Sequence, residues 1–189
     1  NAEMRRISTD YTSPMEMHIE RVLKHVDVER IRNRRFRVAL DGVNGAGSVM
    51  SCRFLKETLR TDLHAISVDP KKVFPRIAEP RPDTLGALAE LVRQTKADIG
   101  FAQDPDGDRL AVCDETGEVL DNDDVLALAV DRALTLRPGN VVVNLTTSSA
   151  IDDIATAHGC RVYRTPVGEA NVVETMQSMN AVIGGEGSN

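Results

Sequence analysis

Aromatic residues are scarce in this 189-residue chain: they make up 3% of it, and tryptophan is absent. Any core must therefore be aliphatic. Cysteine is sparse too. Cys52, Cys113 and Cys160 are odd in number, far apart, and form no Cys-x-x-Cys pair. That suits reduced thiols in a cytoplasmic protein and gives no disulfide framework. No apolar run approaches the roughly 20 residues that span a bilayer, and no signal-peptide pattern opens the chain. Positive charge is in deficit, with 23 Lys and Arg against 29 Asp and Glu and a net charge of −6. That balance argues against generic nucleic-acid binding. His18, His25, His64 and His158 show no ligand or relay spacing, and no nucleophile elbow is present. What remains is an ordinary globular composition, 41% hydrophobic and 28% charged, long enough for one large domain or two small ones.

Strands and helices alternate along the chain. Ser13-Pro14-Met15-Glu16 reads as a helix start with a capping box, followed by Ile19, Val22, Leu23 and Val26 at helical spacing. An arginine cluster follows at 30, 32, 34, 35 and 37, read as a solvated helix end or linker, or else as a contact to a neighbouring domain. Strands are expected at 37–41, 63–68, 97–102 and 110–114, and helices around Phe54–Leu59 and after Asp83. Residues 69–82 hold four prolines, Pro70, Pro75, Pro80 and Pro82, and must be an irregular connection. Glu115-Thr116-Gly117-Glu118 predicts a hairpin turn, and a helix runs from Asn122 or Asp123 to Arg137-Pro138-Gly139. Beyond that break come strands at 141–144, 161–164 and 181–184. Helices capped by Ser148 or Ser149 and spanning 167–179 alternate with them. The predicted class is α/β: two successive α/β units with mixed, mostly parallel sheets, the second unit truncated. The predicted boundaries are 1–36 for an N-terminal helix and linker, 37–137 for a first unit and 138–189 for a second.

The most informative stretch is Asp104-Pro105-Asp106-Gly107-Asp108-Arg109, which directly follows the 97–102 strand. In extended or tightly looped backbone, residues i, i+2 and i+4 point the same way. Three carboxylates then converge, and their mutual repulsion calls for a cation. Hard oxygen donors suit Mg²⁺ or Ca²⁺ better than Zn²⁺. Arg109 beside the cation points to an anion bridging both, with phosphate the obvious choice. From Asp104 to Asp124 there are nine acids and one base, a field that favours cations. Two other readings compete. An EF-hand loop takes carboxylates at positions 1, 3, 5 and 12, which Asp104, Asp106, Asp108 and Glu115 satisfy, but position 6 is Arg109 where glycine is required. A charged surface turn also accounts for a Pro and a Gly among aspartates.

Gly42-Val43-Asn44-Gly45-Ala46-Gly47-Ser48 has the glycine content of a phosphate cradle. It lacks the third glycine of a dinucleotide fingerprint and any Gly-Lys-Ser/Thr, so a structural strand-to-helix turn is expected. Arg164-Thr165 ends a strand, where it meets either a ligand or plain solvent. The chain opens on Asn1-Ala2 without Met, read as the trace of an expression tag. It closes within the glycine-rich Gly184–Asn189, and the expectation is a piece of a longer protein.

These segments together resemble the α-D-phosphohexomutase superfamily of phosphoglucomutases, phosphomannomutases and phosphoglucosamine mutases. The resemblance is carried by residues 38–48, by 97–102, and by the Asp104–Arg109 loop. It continues in Tyr163-Arg164-Thr165-Pro166-Val167-Gly168 and Gly184-Gly185-Glu186-Gly187-Ser188. It runs from about residue 15 to the end. It implies a four-domain enzyme that moves a phosphoryl group between the C1 and C6 oxygens of a hexose phosphate, through a phosphoserine and a bisphosphate intermediate. It implies Mg²⁺ on Asp104, Asp106 and Asp108, with Arg109 contacting the phosphoryl group. Glu186 and Ser188 would read sugar hydroxyls, and Arg164 would approach the sugar phosphate. Val167-Gly168-Glu169-Ala170-Asn171 leans toward the phosphoglucosamine and phosphomannomutase branch.

The resemblance also places key parts outside these 189 residues. The phosphoserine loop and the phosphate-binding fourth domain have no counterpart here, and Asn189 stands where the sugar loop commonly continues Ser-Gly-His. The implied partners are a hexose phosphate and the absent first and fourth domains. Neither nucleic acid nor membrane is expected as a partner. An incomplete second sheet with an open edge is expected to swap or dimerise. The alternative from another class is a two-domain module that binds metal or sugar phosphate without catalysis.

Overall fold

The computed structural model describes residues 12–187. It divides into two compact units, residues 1–118 and 119–189.

The first unit is built on a four-stranded sheet in the order β2-β1-β3-β4. These strands are Arg37–Asp41 (β1), Asp62–Ile66 (β2), Ile99–Gln103 (β3) and Leu110–Cys113 (β4). β1 pairs in parallel with β2 and β3, whereas β4 returns antiparallel to β3. Val38, Ala39, Leu40 and Asp41 are all buried, as the central strand of a sheet covered on both faces requires. The cover on one side is a helix at Gly86–Thr95 (α4). Its residues Leu88, Ala89 and Val92, with Leu85 just before it, recur at helical spacing and are buried. Gly100 permits the close approach, because a Cβ there would lie 2.7 Å from Val92 Cγ2.

Two predicted starts move. A short 3₁₀ turn at Pro82–Thr84 precedes α4, so Asp83 does not cap the helix; Thr84 closes that turn by accepting the Arg81 N–H. The helix predicted around Phe54–Leu59 is a six-residue helix at Ser48–Arg53 (α3) running into a single π-turn at Phe54–Thr58.

A helix at Thr12–Leu23 (α1) and a shorter one at Val28–Arg34 (α2) precede the sheet. The Ser13 cap predicted for α1 lies outside the described side chains. Residues 1–36 were expected as an N-terminal helix and linker set apart from the first unit; the helix α1 forms and groups with that unit. Ile19 is buried, Glu16 pairs with Arg53 at 3.0 Å, and His18, Ile19 and Val22 line a groove with Met50 and Phe54. The arginines end helix α2. Arg35 adopts a left-handed conformation at its C-terminus, Arg32 donates to the Thr58 carbonyl, and Arg34 lies over the Phe36 ring.

The second unit has a helix at Asn122–Leu136 (α5) and strands at Val141–Asn144 (β5), Val162–Thr165 (β6) and Ile183–Gly185 (β7). Helices at Ala150–Ala157 (α6) and Glu169–Ser178 (α7) connect the strands. The sheet order is β6-β5-β7, all parallel. The core joins Val130 and Leu134 of α5 to Val141, Val143, Ile151 and Ala155. The division thus falls at Glu118/Val119 and not at Pro138-Gly139, because α5 buries its apolar stripe on the second sheet. Pro138-Gly139 is only the stop of that helix. Asp121 caps α5 by accepting the Asp123 N–H, one residue before the predicted start. Asp121→Ala is expected to cost about 1 kcal/mol, read from urea unfolding.

The two units repeat one plan. Strands β2-β1-β3 and β6-β5-β7 have the same order and direction, and both central strands end in a buried polar residue that folds onto the next turn. Asp41 accepts the Val43 N–H, and Asn144 accepts those of Thr146 and Thr147. In parallel α/β sheets ligands collect beyond such carboxyl ends. The acidic loop follows β3, and Glu186 follows β7 in the corresponding place.

Candidate functional site

The acidic residues 104–109 form the short connection between β3 and β4. Asp104 is nearly buried, at 9% exposure. Its Oδ1 accepts the N–H groups of Gly107 at 3.0 Å and Arg109 at 3.1 Å. These bonds curl the loop around one carboxylate. Asp106 and Asp108 are exposed, and one carboxylate oxygen from each of the three aspartates lies within 4.8 Å of the others. Among the described residues no other group of three or more His, Cys, Asp or Glu side chains converges in this way. The loop is flanked by strands, not helices, which removes the EF-hand reading.

The electrostatics fit a cation seat. Burial opposes the charged form of Asp104. The N–H groups of Arg109 and Gly107 and the neighbouring carboxyls of Asp108 and Asp106 outweigh it and hold its pKa below the ordinary aspartate value. Asp108 moves the other way: contact with the Asp104 carboxyl and repulsion from Asp106 and Asp104 push its pKa up. The opposite shifts of Asp104 and Asp108 are the usual sign of like charges crowded together. Three hard oxygens in this state suit a divalent Mg²⁺- or Ca²⁺-like ion.

The glycine-rich turn is the seat of the acidic loop. A Cβ at Gly45 would lie 2.5 Å from the Pro105 carbonyl oxygen and 2.7 Å from its Cα, so backbone meets backbone there. The Ala46 N–H donates to the same carbonyl at 2.7 Å. The N–H groups of Gly42, Asn44 and Gly45 are also bonded within the protein, to the carbonyls of Ile66, Ser67 and Gly42. The turn is structural, and most of its donors are spent on the chain itself.

Two contributors have no periodic signal in the sequence. Arg76 emerges from the proline-rich connection and is almost buried. Its Nε donates to Asp41 Oδ2 at 2.7 Å, and its Nη2 to the Gln103 carbonyl at 2.8 Å. It thereby joins the ends of β1 and β3 just before the acidic loop. Glu79, three residues on, pairs with Arg109 at 2.5 Å. Ala78 and Glu79 line a cavity of about 250 Å³ together with Asp104, Pro105, Asp106, Asp108 and Arg109.

In the second unit Glu186 sits just beyond β7. Its Oε1 accepts from the Asn144 side chain at 2.8 Å and from the Gly168 N–H at 2.7 Å. Ser188 lies outside the described residues. Arg164 does not present a free guanidinium. It donates to the carbonyls of Asn144, Thr147 and Ser148 and pairs with Asp152, clamping the turn after β5. The structure thus assigns it to holding the backbone that seats Glu186.

The sequence profile described as "Phosphoglucomutase/phosphomannomutase, alpha/beta/alpha domain II" matches residues 16–117, and the domain III profile matches residues 121–189. The chain belongs to the phosphoglucomutase/phosphomannomutase family. The two profile matches meet where the structure divides. Among relatives in this family, the phosphoglucomutase/phosphomannomutase of Thermococcus kodakarensis is 38% identical over 171 residues, which are 89% of this chain and 37% of that protein. The phosphoglucosamine mutase of Nitratidesulfovibrio vulgaris is 37% identical over 157 residues, 80% of this chain and 34% of that protein. The chain therefore spans under two-fifths of the length of these relatives. A family protein from Burkholderia thailandensis superposes with a TM-score of 0.73 at 25% identity, covering 86% of this chain and 37% of that one. The N-acetylphosphoglucosamine mutase of Aspergillus fumigatus, solved with GlcNAc-6P and magnesium, shares the fold at a TM-score of 0.57 and 16% identity. It covers 85% of this chain and 34% of that one. Within the family fold, all three cysteines of this chain are free, and no described helix is long and apolar enough to cross a membrane.

Proposed function

We propose that these residues are the metal-binding and sugar-reading parts of a phosphohexomutase. In the parent enzyme a phosphoryl group moves between the C1 and C6 oxygens of a hexose or hexosamine phosphate, through a phosphoserine and a bisphosphate intermediate. The observation that carries the reading is the convergence of Asp104, Asp106 and Asp108 at the end of β3, in a chain of this family. These three side chains would hold Mg²⁺, which supplies positive charge beside a phosphoryl oxygen. Arg109 adds guanidinium donors at the rim of the same cavity and would meet the phosphoryl group. Asp104, bound by two backbone N–H groups, keeps the loop curled so that the other two aspartates face it. Glu186, oriented by Asn144 and Gly168, would accept hydrogen bonds from sugar hydroxyls, with Ser188 beside it in sequence. The phosphoserine and the substrate-phosphate site would come from domains outside these residues, in a cytoplasmic enzyme.

Two measurements test this. The 189-residue chain is expected to bind Mg²⁺ weakly and to leave glucose 1-phosphate unconverted; substantial turnover by the pure chain refutes that assignment. In the full-length parent, Asp106→Asn is expected to lower turnover at least about a hundredfold. A near-normal rate removes Asp106 from the site.

A further inference from the structure

Arg109 directly follows Asp108 and stands beside three carboxylates. A guanidinium is a strong, bidentate partner for a carboxylate. Left to itself it would fold onto the aspartates and occupy the oxygens a cation needs. The structure shows a different pairing. Arg109 Nη1 goes to Glu79 Oε1 at 2.5 Å, across 30 positions of sequence. Its side chain makes no hydrogen bond to Asp104, Asp106 or Asp108 among the described residues.

Glu79 is a fixed post. Its own carbonyl accepts from the Arg81 N–H at 3.1 Å and from Thr84 Oγ1 at 2.9 Å. The carbonyls of Ile77 and Ala78 just before it accept from Arg76 at 3.0 Å, and Arg76 is itself tied to Asp41. Pro80 follows and locks the next φ. Glu79 lines the cavity, yet it is not one of the converging carboxylates. Its carboxylate is thus placed to engage the arginine and not to join the cation seat.

We infer that Glu79 is a positioning residue: it holds the Arg109 guanidinium off the three aspartates, which keeps their oxygens open to a cation and leaves the arginine at the cavity rim. The inference rests on the cation-binding reading proposed above. It assigns a role to a residue in the proline-rich connection that is not among the three converging carboxylates.

The test is Mn²⁺ binding to the chain, followed by the electron paramagnetic resonance signal of the free ion. Glu79→Gln and Glu79→Asp are each expected to weaken binding about tenfold, the range for losing a group that orients a metal site from behind. Glu79→Asp keeps the charge and withdraws the carboxylate from Arg109, so it separates positioning from simple attraction. In an Arg109→Met background the Glu79 substitutions are expected to change little, because no guanidinium is left to restrain. Unchanged binding by Glu79→Asp overturns the inference. So does a loss with Glu79→Gln that is equal with and without Arg109, since that is charge acting through space. If the unsubstituted chain binds Mn²⁺ and Asp106→Asn abolishes it while the Glu79 series is flat, only this inference fails. If the unsubstituted chain binds no Mn²⁺, the cation reading fails with it. Glu79 is 41% exposed, so its variants are expected to melt as the unsubstituted chain does.

Discussion

Arg76→Met is expected to lower the stability of the chain by about 3–5 kcal/mol, the cost of stranding one member of a buried ion pair. The side chains of Arg76 and Asp41 are 10% and 2% exposed. Among the described residues, removing the guanidinium leaves the Asp41 carboxylate with the Val43 N–H as its one hydrogen-bond partner. The Gln103 carbonyl loses a donor at the same time. Asp41→Asn in the Arg76→Met background is expected to recover part of the loss, because a neutral amide still accepts from Val43 and carries no unpaired charge. Urea unfolding of the two single variants and the double variant reads the coupling directly. A loss below about 1 kcal/mol for Arg76→Met would place this pair with ordinary surface ion pairs.

Gly45→Ala acts on the site and not on the core. The new methyl group would meet the Pro105 carbonyl and Cα at 2.5 and 2.7 Å. Those atoms are backbone and cannot swing aside as a side chain would. The acidic loop must shift, and the three aspartates shift with it. Divalent-cation affinity is expected to fall about ten- to a hundredfold with every carboxylate still present. The accompanying loss of stability is expected to be smaller in consequence, about 1–3 kcal/mol, as for overpacking elsewhere. Titration with Mg²⁺ or Mn²⁺ alongside thermal melting checks both. An affinity equal to that of the unsubstituted chain shows that the glycine turn does not seat the loop.

Much of the architecture was readable because its causes are local. Val38–Asp41 and Val141–Asn144 are short apolar runs bounded by turns, and each became a central parallel strand. The four prolines of residues 69–82 forbade regular structure there, and none formed before the short turn at Pro82. The convergence of Asp104, Asp106 and Asp108 followed from alternation and a glycine with positive φ at 107. Element ends were less legible. Asp83 has the chemistry of a helix cap, but Thr84 takes the neighbouring N–H and starts a 3₁₀ turn instead.

The misplaced boundary shows where local reading stops. The apolar stripe of α5 is visible in the sequence, but a stripe does not say which sheet it will cover. Val130 and Leu134 meet Val141 and Val143 only once the second sheet exists. The contacts of Arg164 were not legible for a related reason. A guanidinium at a strand end has the same sequence signature whether it faces a ligand or the carbonyls of the next turn.

The sequence by itself determined that the protein is α/β, that three carboxylates meet at the end of a strand, and that its segments resemble those of phosphohexomutases. Those features depend on residue types at fixed short spacings. Only the tertiary structure decided that Arg76 answers Asp41 across 35 positions, that Gly45 seats Pro105, and that Glu79 takes Arg109. Each of these pairs joins surfaces brought together by the parallel crossovers. Charge and size alone leave several partners open to each residue, and the packing of the sheet selects one.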